Sequence, residues 1–242
     1  MNLTEINLRE KEFHNKLNSK EKGRLENIFY KALYNMYEDF NSYISKKAKK
    51  KLVLDYGCGI GSVTEKIAEF NPVKLVGIDI SEVSINKAIE SAKNLNLQIE
   101  YSVDNCENTQ LKENTFDLVF GSGILHHLNL EKAISEINRV LKNNGEMVFL
   151  EPLGTNPLIN FYRKLTPNSR SIDEHPFIKK DFNLINSLFK KVEIKYYGFF
   201  TLVFFLFYKN PQKSFIFRMI CKLDHYFFKI NYFKNFAWSV LI

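Results

Sequence analysis

The stretch VLDYGCGIGS, residues 53–62, leads from a short apolar run into a helix-like segment through three glycines at alternate positions, Gly57, Gly59 and Gly61. Glycine lets a backbone turn sharply and approach a ligand closely, and the free N–H groups of a helix start favour a polar or anionic group. A dinucleotide-binding loop needs G-x-G-x-x-G, but the sixth position is Ser62 counted from Gly57 and Thr64 counted from Gly59. A phosphate-binding P-loop needs Gly-Lys-Ser/Thr, and no lysine follows these glycines until Lys66. Phosphate cradling is therefore disfavoured, and a ligand with another polar end is expected.

Outward from this loop the pattern alternates. KLVLDYG (51–57) reads as a strand, SVTEKIAEF (62–70) as a helix, KLVGIDIS (74–81) as a strand and EVSINKAIESAKNL (82–95) as a helix capped by Ser81. The alternation continues with IEYSVD (99–104), FDLVFGSG (116–123), the helix LEKAISEINRVLK (130–142) closed by the turn NNGE, and the strand EMVFLEP (146–152). Strands alternating with helices require right-handed crossovers and a parallel sheet covered on both faces, a doubly wound α/β fold. Apolar residues at helical spacing over 20–45 (Leu25, Ile28, Phe29, Ala32, Leu33, Met36, Tyr37, Phe40) predict one or two amphipathic helices ahead of this unit. After Pro152 come a polar, proline-punctuated segment, a helix near 180–189, a strand KKVEIKYY (190–197), the apolar run GFFTLVFFLFYK (198–209) and a terminal strand AWSVLI (237–242).

The chain of 242 residues, 45% apolar and 25% charged, suits one globular domain with a large core. The charged start MNLTEINLREKEFHNKL lacks the apolar region of a signal peptide. Cys58, Cys106 and Cys221 match neither a disulfide framework nor a zinc site, so a reducing, cytoplasmic setting is expected. The net charge of +7, concentrated in KKAKKK (46–51) and the last forty residues, could attract an acidic substrate, anionic lipid or nucleic acid. No arginine-rich arm or aromatic–basic stacking platform supports nucleic acid, and none is expected as a partner.

The loop resembles the D-x-G-x-G-x-G motif of class I S-adenosylmethionine (SAM)-dependent methyltransferases, in the small-molecule group that includes ubiquinone-biosynthesis enzymes, with Asp55 as its acidic head. VGIDIS (76–81), SVDNCENTQL (102–111), FDLVFGSGILHHL (116–128) and EINRVLKNNGEMVFLEP (136–152) resemble the motifs that follow, in order. The resemblance implies a seven-stranded sheet of order 3-2-1-4-5-7-6 and SAM as cofactor, with S-adenosylhomocysteine as product. It places Asp55, Gly57, Cys58, Gly59, Asp79, Ile80, Asp104, Asn105, Ser122 and His127 around that cofactor. In that family the residue at Asp79 accepts from both ribose hydroxyls, the one at Asp104 accepts from the adenine amino group, and the one at Asn105 packs beside the ring. The chemistry agrees, because a sulfonium cofactor with an amino-acid end, a diol and a flat base needs backbone donors, a bidentate carboxylate and an apolar slot.

The acceptor is less determined. Methyl transfer from a sulfonium is an in-line displacement that can rely on positioning alone. The N/D-P-P-Y signature of amine-methylating DNA enzymes is absent at the end of strand 4, where FGSGIL stands. REKEFHN (9–15) resembles an E-x-x-F-H-D segment that closes over the cofactor in some small-molecule methyltransferases, which makes His14 a lid and substrate candidate; Asn15 replaces the acid. EPLGTNPLINFYRKLTPNSRSIDEHPF (151–177) leaves strand 5 on the acceptor side, is dense in polar groups and resembles strings in the same group, which makes Glu151, Asn156, Arg163, Arg170 and His175 acceptor-side candidates; among them His175 is the general-base candidate, because imidazole titrates near neutrality and can take a proton from a hydroxyl. His126 and His127 are adjacent, point apart and make a poor metal pair, so no metal is expected.

The expected organisation is one domain over 1–242: a helical lid (1–50), the SAM-binding core (51–152), an acceptor-side segment (153–180) and an apolar, basic insertion between strands 6 and 7 (198–235). An apolar run of about 11 residues is too short to span a bilayer. Extra core, a substrate lid and peripheral membrane contact stay open for the insertion. The expected function is SAM-dependent methylation, at oxygen, of a small or lipid-like molecule. Carbon methylation as in quinone-type biosynthesis, and a SAM-binding regulator that transfers nothing, are the alternatives.

Overall fold

The computed structural model of the chain describes residues 3–18, 28–167, 170–204 and 210–242. Its centre is a seven-stranded sheet of order β3-β2-β1-β4-β5-β7-β6, as the resemblance implies. The strands are β1 (Leu52–Tyr56), β2 (Lys74–Asp79), β3 (Glu100–Val103), β4 (Phe116–Ser122), β5 (Leu141–Pro152), β6 (Lys195–Tyr197) and β7 (Ser239–Leu241). The first five run parallel, and β7 lies antiparallel between β5 and β6.

The central parallel strands β1, β2, β4 and β5 are buried on both faces, and their residues divide with period two, while the edge strand β3 is partly exposed. Val53, Leu75, Leu118, Phe120, Val148 and Leu150 pack on one side, under α2 (Tyr34–Ala48) and α3 (Ser62–Ala68), with Met36, Phe40, Ile44 and Ala48 as the inner stripe of α2. Leu54, Tyr56, Val76, Ile78, Val119 and Phe149 pack on the other, where α5 (Leu130–Val140) contributes Ala133, Ile134, Ile137 and Val140. Ser81 caps α4 (Glu82–Asn94) by accepting from Ser84 N–H, the capping expected from the sequence.

Three boundaries differ from the sequence reading. The fifth helix ends at Val140, because Leu141 already pairs with Phe116; the register then slips, and Leu118 faces Glu146 across the bulged turn. β6 is three residues long rather than eight, since its ladder partner β7 offers only three. Of the amphipathic segment 20–45, residues 28–33 form a 3₁₀ helix leading into α2, and 20–27 lie outside the described residues.

The antiparallel pairing decides where the insertion emerges. Tyr197 faces Ser239, and Ser239 faces Pro152, so β6 ends at the C-terminal edge of the parallel strands, the same edge as the glycine loop. From there run α8 (Phe200–Val203) and α9 (Phe215–Phe227), followed by a 3₁₀ turn over Asn231–Phe236. The N–H groups of Phe199, Phe200 and Thr201 and the Thr201 hydroxyl all donate to the buried carboxylate of Asp224, which ties α8 to α9. Phe199, Phe227 and Phe233 stack in series behind this junction. Part of the apolar run is therefore core, while Val203 and Phe204 are exposed; 205–209, which hold the rest of its aromatic centre, lie outside the described residues.

Candidate functional site

The glycine loop turns at the end of β1 through positive φ at Gly57, Gly59 and Gly61. At Gly57 a Cβ would stand 2.4 Å from the Ile124 side chain, so only glycine fits. At Gly59 a Cβ would meet nothing within 4 Å, so the loop has open space on that side. Cys58 lies between them with a buried thiol whose pKa burial pushes up, consistent with packing rather than reactivity.

Two carboxylates stand behind this loop in different roles. Asp55 is buried, accepts from the Thr64 hydroxyl at 2.6 Å, and has its pKa raised by burial to about 7; it anchors α3 under the loop. Asp79, at the end of β2, accepts from Gly59 N–H at 2.9 Å through Oδ2 and from Ser81 N–H at 2.8 Å through Oδ1. It thereby bridges the loop and the start of α4, and burial raises its pKa. Each Asp79 oxygen accepts one bond in the fold and keeps a lone pair for a diol. Half-buried Ile80 follows it.

At the end of β3, Asp104 accepts from Asn105 N–H at 2.8 Å and from Gln110 N–H at 2.9 Å. Asn105 is buried, accepts from Glu107 N–H and reaches Asn7 Oδ1 at 3.4 Å. Ser122 is exposed at the end of β4. This run of strand ends matches the rule that open α/β sheets bind ligands beyond their C-terminal edges. A cavity of about 450 Å³, lined by Lys51, Asp117 and Lys142 among others, opens at the opposite ends of the strands.

α1 (Glu5–Asn18) lies across the C-terminal edge. Thr4 and Asn7 cap it reciprocally. Ser81 donates to Asn15 Oδ1 at 2.6 Å, Asn18 donates to Ser84 Oγ at 2.8 Å, and Arg9 holds Asp173 with two 2.8 Å bonds. Asn15, where the resembling motif has an acid, thus serves as an acceptor for the α4 cap. The same helix brings Glu10 and His14 to His127: His14 and His127 meet edge to face, and Ser171 donates to Glu10 Oε1.

The remaining acceptor-side candidates are held by the fold. Glu151 is fully buried and accepts from the Ile124 and Leu125 N–H groups and from His126, whose Nδ1 is 2.7 Å away; burial lifts its pKa to about 7. Asn156 caps α6 (Pro157–Leu165) by accepting from Leu158 and Ile159 N–H, and donates to Phe236 O. Arg163 donates to Leu153 O at the end of β5, and Arg170 donates to Thr166 O at the end of α6. His175 has a side chain 58% exposed, with Nε2 3.4 Å from Asp181 and its backbone N–H on His126 O. The geometry thus brings Glu10, His14, His127 and Ser171 together and sets His175 to one side.

Glu10, Asn7 and Ser171 went unselected in the sequence. Glu10 had a usable signal: it stands four residues before His14, on the same helical face. His126 and His127 also differ from expectation. In the 3₁₀ turn Leu125–His127 their rings lie 4.1 Å apart at 40°, overlapping, although their Nδ1 atoms turn to different carboxylates, Glu151 and Glu10.

A methyltransferase-domain family profile matches residues 53–145, from β1 into β5. The chain is 32% identical over 139 residues to sterol 24-C-methyltransferase of Saccharomyces cerevisiae, covering 56% of this chain and 35% of that protein. It is 35% identical over 115 residues to the ubiquinone biosynthesis O-methyltransferase of Pelagibacter ubique, covering 47% of each. The chain thus spans about half or less of the length of these relatives. Among solved structures, geranyl diphosphate C-methyltransferase of Streptomyces coelicolor, in complex with Mg²⁺, geranyl diphosphate and S-adenosylhomocysteine, aligns over 100% of this chain and 98% of its own, with a TM-score of 0.69 at 13% identity. The stretch that the methyltransferase-domain profile matches holds the glycine loop, Asp79 and Asp104 on consecutive strand ends, and the chain shares the fold of that solved methyltransferase.

Proposed function

We propose that the chain transfers a methyl group from SAM to oxygen of a small or lipid-like acceptor. The observation that carries this reading is Asp79, a carboxylate at a strand end bridging Gly59 and Ser81 beside open space at Gly59. The residues fit the cofactor. The Gly57–Gly59 backbone would hold its amino-acid end, Asp79 its ribose diol, and Asp104 and Asn105 its base, with Ser122 and His127 toward the acceptor. When bound, SAM supplies an electrophilic methyl. The protein's part is to align the acceptor behind that methyl and to exclude water, which α1 does by spanning the strand ends.

In this reading residues 1–50 supply the lid, 51–152 the cofactor core, 153–180 the acceptor side and 198–235 the apolar insertion. Glu151, Asn156, Arg163 and Arg170 shape the acceptor side by fixing the turns around it. His175 is the group we assign to accept a proton from a hydroxyl acceptor, its exposed ring passing that proton to solvent. His175→Ala leaving turnover of an identified hydroxyl acceptor unchanged removes that role.

A lipid-like acceptor is supported by the names of the relatives, which refer to sterol, ubiquinone biosynthesis and geranyl diphosphate, and by the insertion. Phe215, Ile216, Met219, Leu223, Tyr226 and Ile230 are exposed on and after α9, interleaved with exposed Arg218, Lys222 and Lys229. The acid of α9, Asp224, is buried. Such a surface would suit the interface of an anionic bilayer, which supports our reading of a cytoplasmic protein peripheral at the membrane. No helix among the described residues is long and apolar enough to cross one. Sedimentation with phosphatidylserine vesicles tests this: Lys222→Glu with Met219→Ser should release the protein, and equal binding by the variant would refute it. Carbon methylation is the second reading, favoured by two of the three relatives named.

Incubation with methyl-labelled SAM and a cell extract tests the function. Label in extracted lipids or small metabolites supports it, and no transfer by a protein that binds SAM favours a regulator.

A further inference from the structure

Among the described residues, Glu10, His14 and His127 bring one carboxylate oxygen and two imidazole nitrogens within 4.8 Å of one another. Glu10 is 4% exposed, yet its Oε2 has no hydrogen-bond partner among the described residues. That oxygen faces His127 Nδ1 at 3.1 Å and His14 Nε2 at 3.6 Å, as an ion-pair contact without hydrogen-bond alignment. A buried carboxylate oxygen left this way is costly unless something positive meets it. Its twin, Oε1, is held by the Ser171 hydroxyl, which fixes the direction in which Oε2 points.

The spacing has a chemical meaning. Donors bound at about 2.0–2.1 Å around a tetrahedral cation stand roughly 3.3 Å apart, between the two distances found here. Two imidazoles and one carboxylate suit zinc and neighbouring first-row divalent ions; magnesium and calcium prefer all-oxygen sets. His126, His127 and Glu174 form an overlapping group, but His126 Nδ1 is committed to Glu151 at 2.7 Å and Glu174 lies 3.6 Å from Arg170 Nε.

We propose that Glu10 Oε2, His14 Nε2 and His127 Nδ1 form a site for Zn²⁺ or a similar divalent ion. Glu10 and His14 share one face of α1, and His127 comes from the turn after β4, so the ion fastens the lid to the sheet. Three protein ligands leave a fourth position for water or an acceptor oxygen. The expectation of no metal was drawn from the His126–His127 pair, whereas the other two ligands come from a helix more than a hundred residues earlier.

The test uses the untagged full chain, stripped with chelator and titrated with Zn²⁺ against a chromophoric competitor, and with Co²⁺ as a spectroscopic probe. One equivalent per chain is expected, with intense visible Co²⁺ bands of a tetrahedral site. Glu10→Gln and His14→Ala should each weaken binding about tenfold or more and lose those bands, while His225→Ala, at an exposed histidine, should change neither. Zn²⁺ should raise the melting temperature of the unaltered chain and not that of Glu10→Gln. Binding of less than half an equivalent, or equal binding by the variants, overturns the proposal. SAM titration of the stripped protein is a separate readout: retained SAM binding alongside failed metal binding removes the metal site and leaves the methyltransferase reading standing.

Discussion

Replacing Asp79 separates the cofactor role of this carboxylate from its part in the fold. Its two oxygens accept from Gly59 and Ser81 N–H, so the side chain is a structural bridge as well as the ligand proposed for the ribose diol. Hydrogen bonds to a charged acceptor contribute about 1.5–3 kcal/mol each. Loss of two to the diol in Asp79→Ala amounts to about 3–6 kcal/mol, or roughly 10²–10⁴-fold in Kd. Asp79→Asn keeps one carbonyl acceptor and should lose about half of that free energy, roughly 10–150-fold. The fold should survive, because burial already disfavours the charged carboxylate, as its raised pKa indicates. The assay is calorimetric titration with SAM and with S-adenosylhomocysteine, with circular dichroism to establish that each variant is folded. An analogue lacking the ribose hydroxyls should bind the unaltered chain and Asp79→Ala alike. A folded Asp79→Ala that binds SAM within about threefold of the unaltered chain would refute the assignment.

Three further predictions follow from individual contacts. Asp55 has a pKa raised from 3.8 to about 7, so between those values the folded state holds a proton that the unfolded state releases, and stability falls as pH rises through that window. The drop is on the order of 4 kcal/mol at about 1.36 kcal/mol per pH unit, and Asp55→Asn should flatten it in melting curves taken from pH 4 to 8; parallel curves would contradict the burial argument. Arg9→Ala removes the bidentate tie from lid to Asp173 and should speed SAM dissociation about two- to fivefold, an effect that high salt reproduces in the unaltered chain and that stopped-flow mixing can read. Asp224→Ala leaves the Thr201 hydroxyl and the N–H groups that open α8 without their acceptor and should lower unfolding free energy in urea by about 2–4 kcal/mol, with little change in SAM affinity.

How much was readable in advance depended on whether a residue acts through its neighbours in sequence. Gly57, Gly59 and Gly61 announce a strand-to-helix turn at three-residue range, and Ser81 announces a helix start, so the order of strands and the cofactor edge were legible. Asp55 and Asp79 are both acids near strand ends, and their partners separate them: one accepts from the Thr64 hydroxyl, the other bridges two backbone amides at the C-terminal edge of the sheet. Polar density after β5 suggested ligand contacts, but Asn156, Arg163 and Arg170 direct their groups to backbone amides and oxygens at the ends of α6 and of β5. The Glu10–His127 meeting joins residues 117 positions apart, which no local spacing reports. The apolar run at 198 divided into core and surface because Asp224, far along the chain, supplies its helix cap.

The central claim, that this fold carries SAM-dependent methyl transfer to an apolar acceptor, is tested most directly by supplying methyl-labelled SAM with a membrane and lipid extract and counting label in the organic phase. The account expects transfer by the unaltered chain and none by Asp79→Ala. No transfer by the unaltered chain, or label carried by nucleic acid, would contradict it.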